Sequence, residues 1–235
     1  MLAPMPLEMH AIVKAFGVQP TTADELDPWR GQVGGSDVKV VHIGMGPPLT
    51  RAALERLFDE SAHGGDPIDH VMNAGICGGL DPGLDVGTLI NPGIIVDNTS
   101  GAEFRHQPPI DDPLAGKLMT MEAATLNTER SRRFFADGFL AVDMESAAVA
   151  EVCEARGCAW SIYRCIGDRY FDGLLDERVI AATNQDGSGN MAEIARLIEA
   201  DPQIAKNLDR LRRETSHAAK LAAEAAVRGC LALDR

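Results

Sequence analysis

The chain has 235 residues, of which 45% are hydrophobic and 24% are charged, a composition typical of one globular α/β domain over residues 1–235 with a sizeable core. Its formal net charge of −13 argues against a nucleic-acid partner, because such proteins neutralise phosphates with Lys and Arg. The sequence has no apolar run of about 18 residues and no basic N-terminus followed by an apolar stretch, so we expect no membrane span, no signal peptide and a cytoplasmic location.

The cysteines and histidines predict neither disulfides nor a metal site. The five cysteines lack CxxC spacing, which favours buried free thiols in a reducing compartment. The six histidines show no ligand spacing, so no metal is expected. Nothing in the sequence implies an organic cofactor.

The first predicted element is a helix that begins near Pro6. Leu7, Ala11, Ile12 and Phe16 recur at helical spacing, and proline suits a first helical turn. The apolar stretch before Pro6 is very short, so the first strand is expected to be nearly absent.

A loop or hairpin is predicted over residues 17–37, and two strands follow it. Residues 38–43 predict a strand that leads through a Gly-Met-Gly turn at 44–46 into a helix. The full GxGxxG pattern is missing, so this turn alone is weak evidence for phosphate binding. Residues 69–74 predict a second strand, followed over 75–93 by a glycine-rich loop whose backbone can approach a ligand closely.

Residues 139–173 form the most informative stretch, which reads as strand, helix and strand. Residues 139–142 predict a strand, and apolar residues recur at helical spacing from Met144. Gly157 is expected to end the helix, and residues 159–166 predict a second, mostly apolar strand.

Three charged residues occupy unusual positions in this stretch. Glu145 falls in the first turn of the helix, Arg164 lies inside the apolar strand, and Asp168 comes just after it. A buried charge without a partner is strongly unfavourable, so Arg164 needs a carboxylate or a ligand. Ligand crevices in open α/β sheets lie at the carboxyl ends of strands, where Glu145 and Asp168 are both expected.

The C-terminal part is predicted to be helical from about residue 190 to residue 233. One helical pattern covers 190–200, and Asp201-Pro202 is a typical helix start. We expect these terminal helices to pack on the sheet.

The segment V-D-M-E-S-A-A, followed by R-C-I-G-D, resembles the V-x-M-E-x-A-A and R-x-I-S-D signature of the nucleoside phosphorylase and methylthioadenosine/S-adenosylhomocysteine nucleosidase superfamily. The resemblance covers scattered blocks over residues 3–172, and the tail is similar to that of hopanoid-associated members. It implies a homodimer or higher homo-oligomer with an α/β fold, a three-layer α/β/α sandwich with a central mixed, partly barrel-like sheet. Alternating strand and helix patterns favour the same layers.

The resemblance also implies roles for the charged residues. Asp168 would be the general acid toward the purine N7, with a pKa raised by burial; from the residues alone it could instead cap the next segment. Glu145 would accept hydrogen bonds from the ribose 2′- and 3′-hydroxyls, and Met144 would pack against the sugar.

The N-terminal residues Met5-Pro6-Leu7-Glu8 resemble the A-M-x-x-E segment of the nucleosidase branch, which implies that Glu8 helps to activate the attacking water. From the residues alone, Glu8 could equally complement the helix dipole. Arg164 would hold phosphate in phosphorolysis, or pair with Glu8 and orient water in hydrolysis.

Three further positions match substrate contacts of the superfamily. Gly46 resembles the turn beside the ribose, and Gly78 belongs to the run that supplies main-chain contacts. Ile76 stands where the superfamily has Ser or Thr, so a hydroxyl for phosphate or water is missing. Gly167 likewise replaces the serine beside Asp168.

Residues 97–137 depart most from the superfamily. The segment is short, the helix that normally precedes the next strand is expected to be missing, and residues 98–117 predict a loop. Phe104, Arg105 and His106 would either line the pocket or belong to a solvated loop. An aromatic content of 5% offers no obvious stacking platform for a purine.

The resulting hypothesis is cleavage of the N-glycosidic bond of a small-molecule purine nucleoside of the adenosyl type. Hydrolysis is favoured over phosphorolysis, because Glu8 would repel phosphate and Ile76 lacks a hydroxyl. Phosphate would be a co-substrate in the phosphorolytic alternative. A non-catalytic nucleoside-binding protein on the same fold is the other alternative.

Overall fold

The computed structural model describes residues 1–21, 28–106, 116–124 and 126–233. The strands in these ranges are β1 (Leu2–Ala3), β2 (Gln19–Pro20), β3 (Trp29–Val33), β4 (Ser36–His42), β5 (His70–Gly79), β6 (Leu89–Ile90), β7 (Ile94–Asp97), β8 (Glu103–Arg105), β9 (Lys117–Thr120), β10 (Phe139–Asp143) and β11 (Ala159–Arg169). The helices are α1 (Pro6–Phe16), α2 (Pro47–Ala62), α3 (Thr128–Ala136), α4 (Ser146–Arg156), α5 (Glu177–Ala181), α6 (Met191–Ala200) and α7 (Gln203–Leu233).

The strands form a mixed sheet that branches at β5. The order is β2-β3-β4-β1-β5-β10-β9-β7-β8, with β11 paired to β5 and β6 paired to β11. β1 is parallel to β4 and β5, and β11 is parallel to β5, whereas β10 is antiparallel to β5. The predicted α/β fold with a mixed sheet is therefore confirmed.

Two hydrophobic cores lie on opposite faces of this sheet. Consecutive strand residues point to opposite faces: Ile162 packs into the core formed with α2 and α4, and Tyr163 into the core formed with α1 and α7. Helices thus cover both faces, which confirms the expected three layers. Helix α7 contributes a buried row of alanines that includes Ala218, Ala222 and Ala226.

The N-terminal strands and the start of the last helix also agree with the prediction. β1 has two residues, so the first strand is nearly absent. β3 and β4 form an antiparallel hairpin within the segment predicted to be loop or hairpin, although residues 22–27 lie outside the described residues. Asp201 Oδ1 accepts a hydrogen bond from Gln203 N at 3.1 Å, as the predicted helix start requires.

The strand predicted over residues 69–74 does not give way to a glycine-rich loop at residue 75. β5 pairs with β11 from His70, opposite Ala159, to Gly79, opposite Arg169. Glycine usually weakens a strand because it has no side chain to pack, which is why the pattern predicted a loop.

The predicted strand, helix and strand over 139–173 are confirmed with shifted bounds. α4 begins at Ser146 and not at Met144, and Gly157 ends it in the left-handed region with φ of 66°. β11 includes Asp168, so the prediction that this residue follows the strand is wrong. A bulge after Ile166 carries the strand past its apolar run.

The helix expected to be missing before β10 is present as α3, so that prediction is wrong. Asn127 caps it by accepting a hydrogen bond from Arg130 N at 2.8 Å. Its nine residues include three arginines and bury only Ser131. Helical periodicity was therefore hard to recognise in the sequence.

His106 is a buried structural residue, and the solvated-loop interpretation is wrong for it. Its Nε2 accepts a hydrogen bond from Ile162 N at 3.2 Å, and its Nδ1 lies 2.9 Å from Pro92 O. The ring stacks on Trp160 at 5.0 Å between centroids, and Phe104 packs against the α2 and α4 core. Neither side chain contacts the candidate site residues, and residues 107–115 of the predicted loop lie outside the described residues.

The remaining features bear on where a ligand site can lie. All five cysteines are free, and four are buried. In the described ranges, no helix is long and apolar enough to cross a membrane, and no three His, Cys, Asp or Glu side chains converge on a possible metal position. A cavity of about 1200 Å³ opens at the amino ends of β4 and β5, and no candidate site residue lines it.

We expect His106→Phe to lower the free energy of unfolding by about 2–4 kcal/mol, because the Ile162 N–H and the Pro92 carbonyl would lose their buried partner. Urea unfolding would measure the loss. His10→Phe, at an exposed position of α1, is the matched control and should change stability by less than about 0.5 kcal/mol. An equal loss in both variants would contradict the structural role.

The same residue should make stability depend on pH. Burial lowers the pKa of His106 to about 4, although the hydrogen bond to Pro92 opposes it, whereas an unfolded histidine titrates near about 6.5. Between these values the unfolded chain binds a proton that the folded chain does not, so stability falls as pH falls. The His106→Phe variant should show a shallower dependence.

Candidate active site

Arg164 is the centre of the candidate site. Its side chain has 0% exposure in β11, and its Nε donates to Asp143 Oδ2 at 2.8 Å, while Nη2 also lies 2.8 Å from that oxygen. The expectation that a buried arginine here must find a carboxylate is confirmed. Its main partner, however, is a residue to which the sequence assigned no role.

Asp143 holds Arg164 in place and is itself held by several donors. Asp143 Oδ1 accepts from Thr120 Oγ1 at 2.7 Å, and Oδ2 accepts from the backbone N–H and the hydroxyl of Ser146. Thr120 Oγ1 in turn accepts from Ala147 N at 3.0 Å. This network ties the ends of β9 and β10 to the start of α4. The available signal was a second acidic residue in the V-D-M-E segment, at the end of a buried strand.

Glu145 lies at the N-terminus of α4 and bridges Arg164 to the turn before α2. Its Oε2 accepts from Arg164 Nη2 at 2.9 Å, and its Oε1 accepts from Gly46 N at 2.9 Å. Gly46 can present this N–H because its φ is 93°, in the region that favours glycine. Burial raises the pKa of Glu145; Arg164 opposes the shift and Asp143 adds to it.

Glu8, in the first turn of α1, is the third carboxylate beside Arg164. Its Oε2 accepts from Met5 N at 3.0 Å, and its Oε1 accepts from Ile76 N at 2.8 Å and lies 3.8 Å from Arg164 Nη1. Burial raises the pKa of Glu8 to about 8, with Arg164 opposing and Glu145 adding to the shift. The helix-dipole interpretation alone does not account for contacts to both β5 and β11.

Gly75 makes this meeting of charges possible. A Cβ at this position would collide with the Glu8 carboxylate and would lie 2.7 Å from Arg164 Nη1. Gly75 was predicted to lie in a loop that lets the backbone approach a ligand. It lies instead inside β5, where the missing side chain lets Glu8 approach Arg164.

Asp168 lies further along β11, beyond the bulge. It pairs with Gly78 of β5, and a Cβ on Gly78 would lie 4.0 Å from Asp168 Oδ2. Burial raises the pKa of Asp168 to about 7, and Asp172 and Glu214 add to the shift. Within the described part of the chain, no hydrogen bond ties its carboxylate to the Arg164 cluster.

Ile76 and Gly167 occupy one shared space. A Cβ on Gly167 would lie 3.1 Å from Ile76 Cβ and 3.3 Å from both Ile76 Cγ2 and Cδ1. The Ile76 N–H still binds Glu8, so the backbone role at this position does not depend on the side chain.

Met144 and the turn at residues 185–187 lie next to the turn that contains Gly46. The Met144 methyl lies 3.7 Å from the position of a Cβ on Gly46. Met45 N donates to Gln185 O at 2.9 Å, and Gly187 approaches Met5 so closely that a Cβ would clash. Sequence analysis assigned no role to this turn beside the site, and the available signal was the glycine-rich N-Q-D-G-S-G-N segment.

The structure thus brings Glu8, Glu145 and Arg164 into one cluster of ion pairs and hydrogen bonds, with Gly46 and Ile76 joined through their backbone N–H groups. The cluster can bind hydroxyl groups and a developing positive charge, since it presents more carboxylates than cations.

The amino-acid sequence is similar to those of known proteins. A family model described as the phosphorylase superfamily matches residues 1–115 and 105–200. The 5′-methylthioadenosine/S-adenosylhomocysteine nucleosidase of Pseudoalteromonas translucida is 25% identical over 171 residues, which is 60% of this chain and 70% of the relative.

Solved structures show the same fold at lower identity. A 5′-methylthioadenosine/S-adenosylhomocysteine nucleosidase from S. pneumoniae with a transition-state inhibitor is 16% identical, with a TM-score of 0.68 over 99% of this chain and 98% of that one. Futalosine hydrolase of Helicobacter pylori is 17% identical, with a TM-score of 0.66 over 99% and 95% of the two chains. With a family model that spans most of its length, this chain belongs to the phosphorylase superfamily.

Proposed function

We propose that this protein hydrolyses the N-glycosidic bond of a purine nucleoside and releases the free base. The observation that carries the proposal is the surplus of buried carboxylates around Arg164. Glu8, Asp143 and Glu145 all lie within 4 Å of its guanidinium. Family membership and the names of the relatives support the same class of reaction.

Charge balance favours water over phosphate as the nucleophile. With all three carboxylates ionised, one guanidinium leaves the cluster with an excess of negative charge, and the pKa values of Glu8 and Glu145 are raised. A phosphate dianion would add to this excess. Positive charge that develops on the ribosyl centre would be stabilised by it.

Arg164 also has few donors left for an anion. Its Nε and Nη2 groups bind Asp143 and Glu145, and its Nη1 lies 3.5 Å from Ile76 O and 3.8 Å from Glu8. A phosphate would have to displace one of these buried partners, which would leave a carboxylate unpaired.

The proposed roles follow from these positions. Glu145 accepts hydrogen bonds from the ribose 2′- and 3′-hydroxyls, and Met144 packs against the sugar. Glu8, held in orientation by Met5 and Ile76, accepts a proton from the attacking water, and Arg164 orients Glu8. Asp168, with its raised pKa, donates a proton to N7 of the leaving base.

The two departures from the superfamily pattern are compatible with this function. Ile76 and Gly167 fill one space between them, so the loss of two hydroxyls is one coupled change in packing. Ile76 keeps its backbone bond to Glu8. The proposed water site therefore retains its carboxylate, while a phosphate would lose a donor.

Assembly and location are part of the proposal. The family resemblance supports a homodimer or higher homo-oligomer, which light scattering on the purified protein would measure. The five free thiols support the cytoplasm, where thiols stay reduced.

Chromatographic detection of free base tests the reaction directly. Purified protein would be incubated with methylthioadenosine, S-adenosylhomocysteine and adenosine, each with and without phosphate. Equal adenine release without phosphate supports hydrolysis. Release only with phosphate would establish phosphorolysis, and binding without release would establish a nucleoside-binding protein.

We expect Asp168→Asn to lower kcat by about 100- to 10,000-fold, because the amide cannot protonate the leaving base. Substrate affinity, measured by calorimetry, should remain. The matched control is Asp85→Asn, which removes only an exposed ion pair with Arg169 and should leave kcat unchanged. Full activity of the Asp168 variant would refute its assignment as the acid.

The pH dependence of kcat/KM should be a narrow bell. The productive form has Asp168 protonated and Glu8 ionised. Because burial raises the pKa of Asp168 to about 7 and that of Glu8 to about 8, this form is always a minority of the enzyme, and its fraction falls toward both lower and higher pH. The maximum is therefore expected between these two values. Rates measured from about pH 5 to pH 10 would test this, and a plateau on the acid side would contradict Glu8 as the base.

Gly167→Ser should lower the free energy of unfolding by about 1–3 kcal/mol, because its Cβ would press against Ile76. In an Ile76→Ser background the same change should cost at least about 1 kcal/mol less. Urea unfolding of the four proteins measures this coupling. Gly93→Ser, where a Cβ meets nothing within 4 Å, is the control; equal costs in both backgrounds would show that the two positions are independent.

A further inference from the structure

Two cysteines are joined by a backbone hydrogen bond where α4 ends. Gly157 takes the left-handed conformation, its N–H donates to Glu154 O at 3.2 Å, and the Cys158 N–H donates back to Cys153 O at 2.9 Å. In this type of helix end, the hydrogen bond that spans more residues is the one from Cys158 N to Cys153 O, and the side chains of the two residues it joins usually make a hydrophobic contact. In this chain both of those side chains are thiols.

The two thiols differ in access. Cys153 is fully buried in the α2 and α4 core, and Cys158 is partly buried against the same core. The Cys158 sulfur lies 3.6 Å from Ile68 O and 3.4 Å from its neighbour's carbonyl. The other three cysteines are buried, so an oxidant in solution reaches Cys158 first.

The surroundings of the two thiols affect how readily each one ionises. A hydrogen bond from the Cys153 thiol lowers the pKa of Cys158, although burial and the nearby Asp69 carboxylate oppose the shift. The same bond raises the pKa of Cys153, and burial adds to that shift. The more exposed sulfur is therefore the more readily ionised one, and the thiolate is the form that reacts with oxidants.

We propose that Cys153 and Cys158 form an oxidation site, at which a hydroperoxide converts the two thiols into an intrachain disulfide. The Cys158 thiolate attacks one oxygen of the hydroperoxide, the O–O bond breaks, and a sulfenic acid forms as hydroxide or alkoxide leaves. The Cys153 sulfur then attacks the sulfenic sulfur, the S–S bond forms, and its proton leaves with the departing hydroxyl as water. The two thiols supply the two electrons that reduce the hydroperoxide.

The backbone makes this bond geometrically accessible. The 2.9 Å hydrogen bond from Cys158 N to Cys153 O holds the two backbone segments close together, and a disulfide requires Cα atoms roughly 4.4–6.8 Å apart. The disulfide would join the end of α4 to the start of β11. Helix α4 begins directly after Glu145, and β11 contains Arg164. An 11-residue helix is about 16 Å long, so the oxidation site is remote from the Arg164 cluster.

Peptide mapping tests the proposal on the intact protein. The folded protein would be treated with hydrogen peroxide, alkylated and digested with trypsin, which cleaves after Arg156, between the two cysteines. We expect peptides 134–156 and 157–164 to appear as one linked species that separates on reduction. Each of these peptides contains a single cysteine, so the linkage identifies the pair without ambiguity.

Thiol counting and variants provide the controls. The five thiols of the unfolded reduced protein should fall by two after oxidation and return with dithiothreitol. Cys158→Ala should retain its remaining thiols at the same peroxide dose, and Cys153→Ala should accumulate a sulfenic acid that dimedone traps. The proposal is overturned if wild-type protein yields no linked peptide, or if Cys158→Ala loses thiols as fast as wild type.

Discussion

The buried guanidinium of Arg164 is the constraint on which the rest of this site depends. A charge with no exposed surface is tolerated only if carboxylates and hydrogen bonds replace its lost water, and here Asp143, Glu145 and Glu8 do so. These partners come from β10, the start of α4 and the start of α1, so a single residue of β11 fixes where three other elements end or begin. Gly75 is required because any side chain there would occupy the space in which Glu8 meets Arg164.

The same cluster explains why the site suits a cationic reaction centre. Burial raises the pKa values of Glu8 and Glu145, and a neighbouring carboxylate adds to each shift although Arg164 opposes it. One arginine among three carboxylates therefore leaves negative charge that is unfavourable in a buried site. In the proposed reaction, a ribosyl centre that becomes positive as the base departs would relieve this imbalance in the transition state and not in the ground state. Asp168 stands apart from the cluster, and its raised pKa lets a carboxyl group keep a proton near neutral pH.

Sequence patterns predicted the parts of the site that depend on local periodicity. Arg164 was recognisable because a charge interrupts an apolar strand, and Glu145 because an acid stands at the exit of another. The role of Asp143 and Thr120 depends on pairing between β9 and β10, which no local pattern contains. Helix α3 was missed because its sequence is rich in charged residues and buries only Ser131, and the course of β5 through its glycines depends on continuous pairing with β11.

Ile76 and Gly167 show why departures from a family pattern are best judged in pairs. In the sequence, each departure is the loss of a hydroxyl near the site. In the fold they are neighbours on adjacent strands, and the Ile76 side chain lies against Gly167, where a Cβ would be only 3.1 Å from Ile76 Cβ. The bulge next to Gly167 still carries Asp168 opposite Gly78, and Ile76 still donates its N–H to Glu8. The two departures therefore alter side-chain packing next to Asp168 and next to the backbone N–H that binds Glu8, while the backbone contacts at both positions are present.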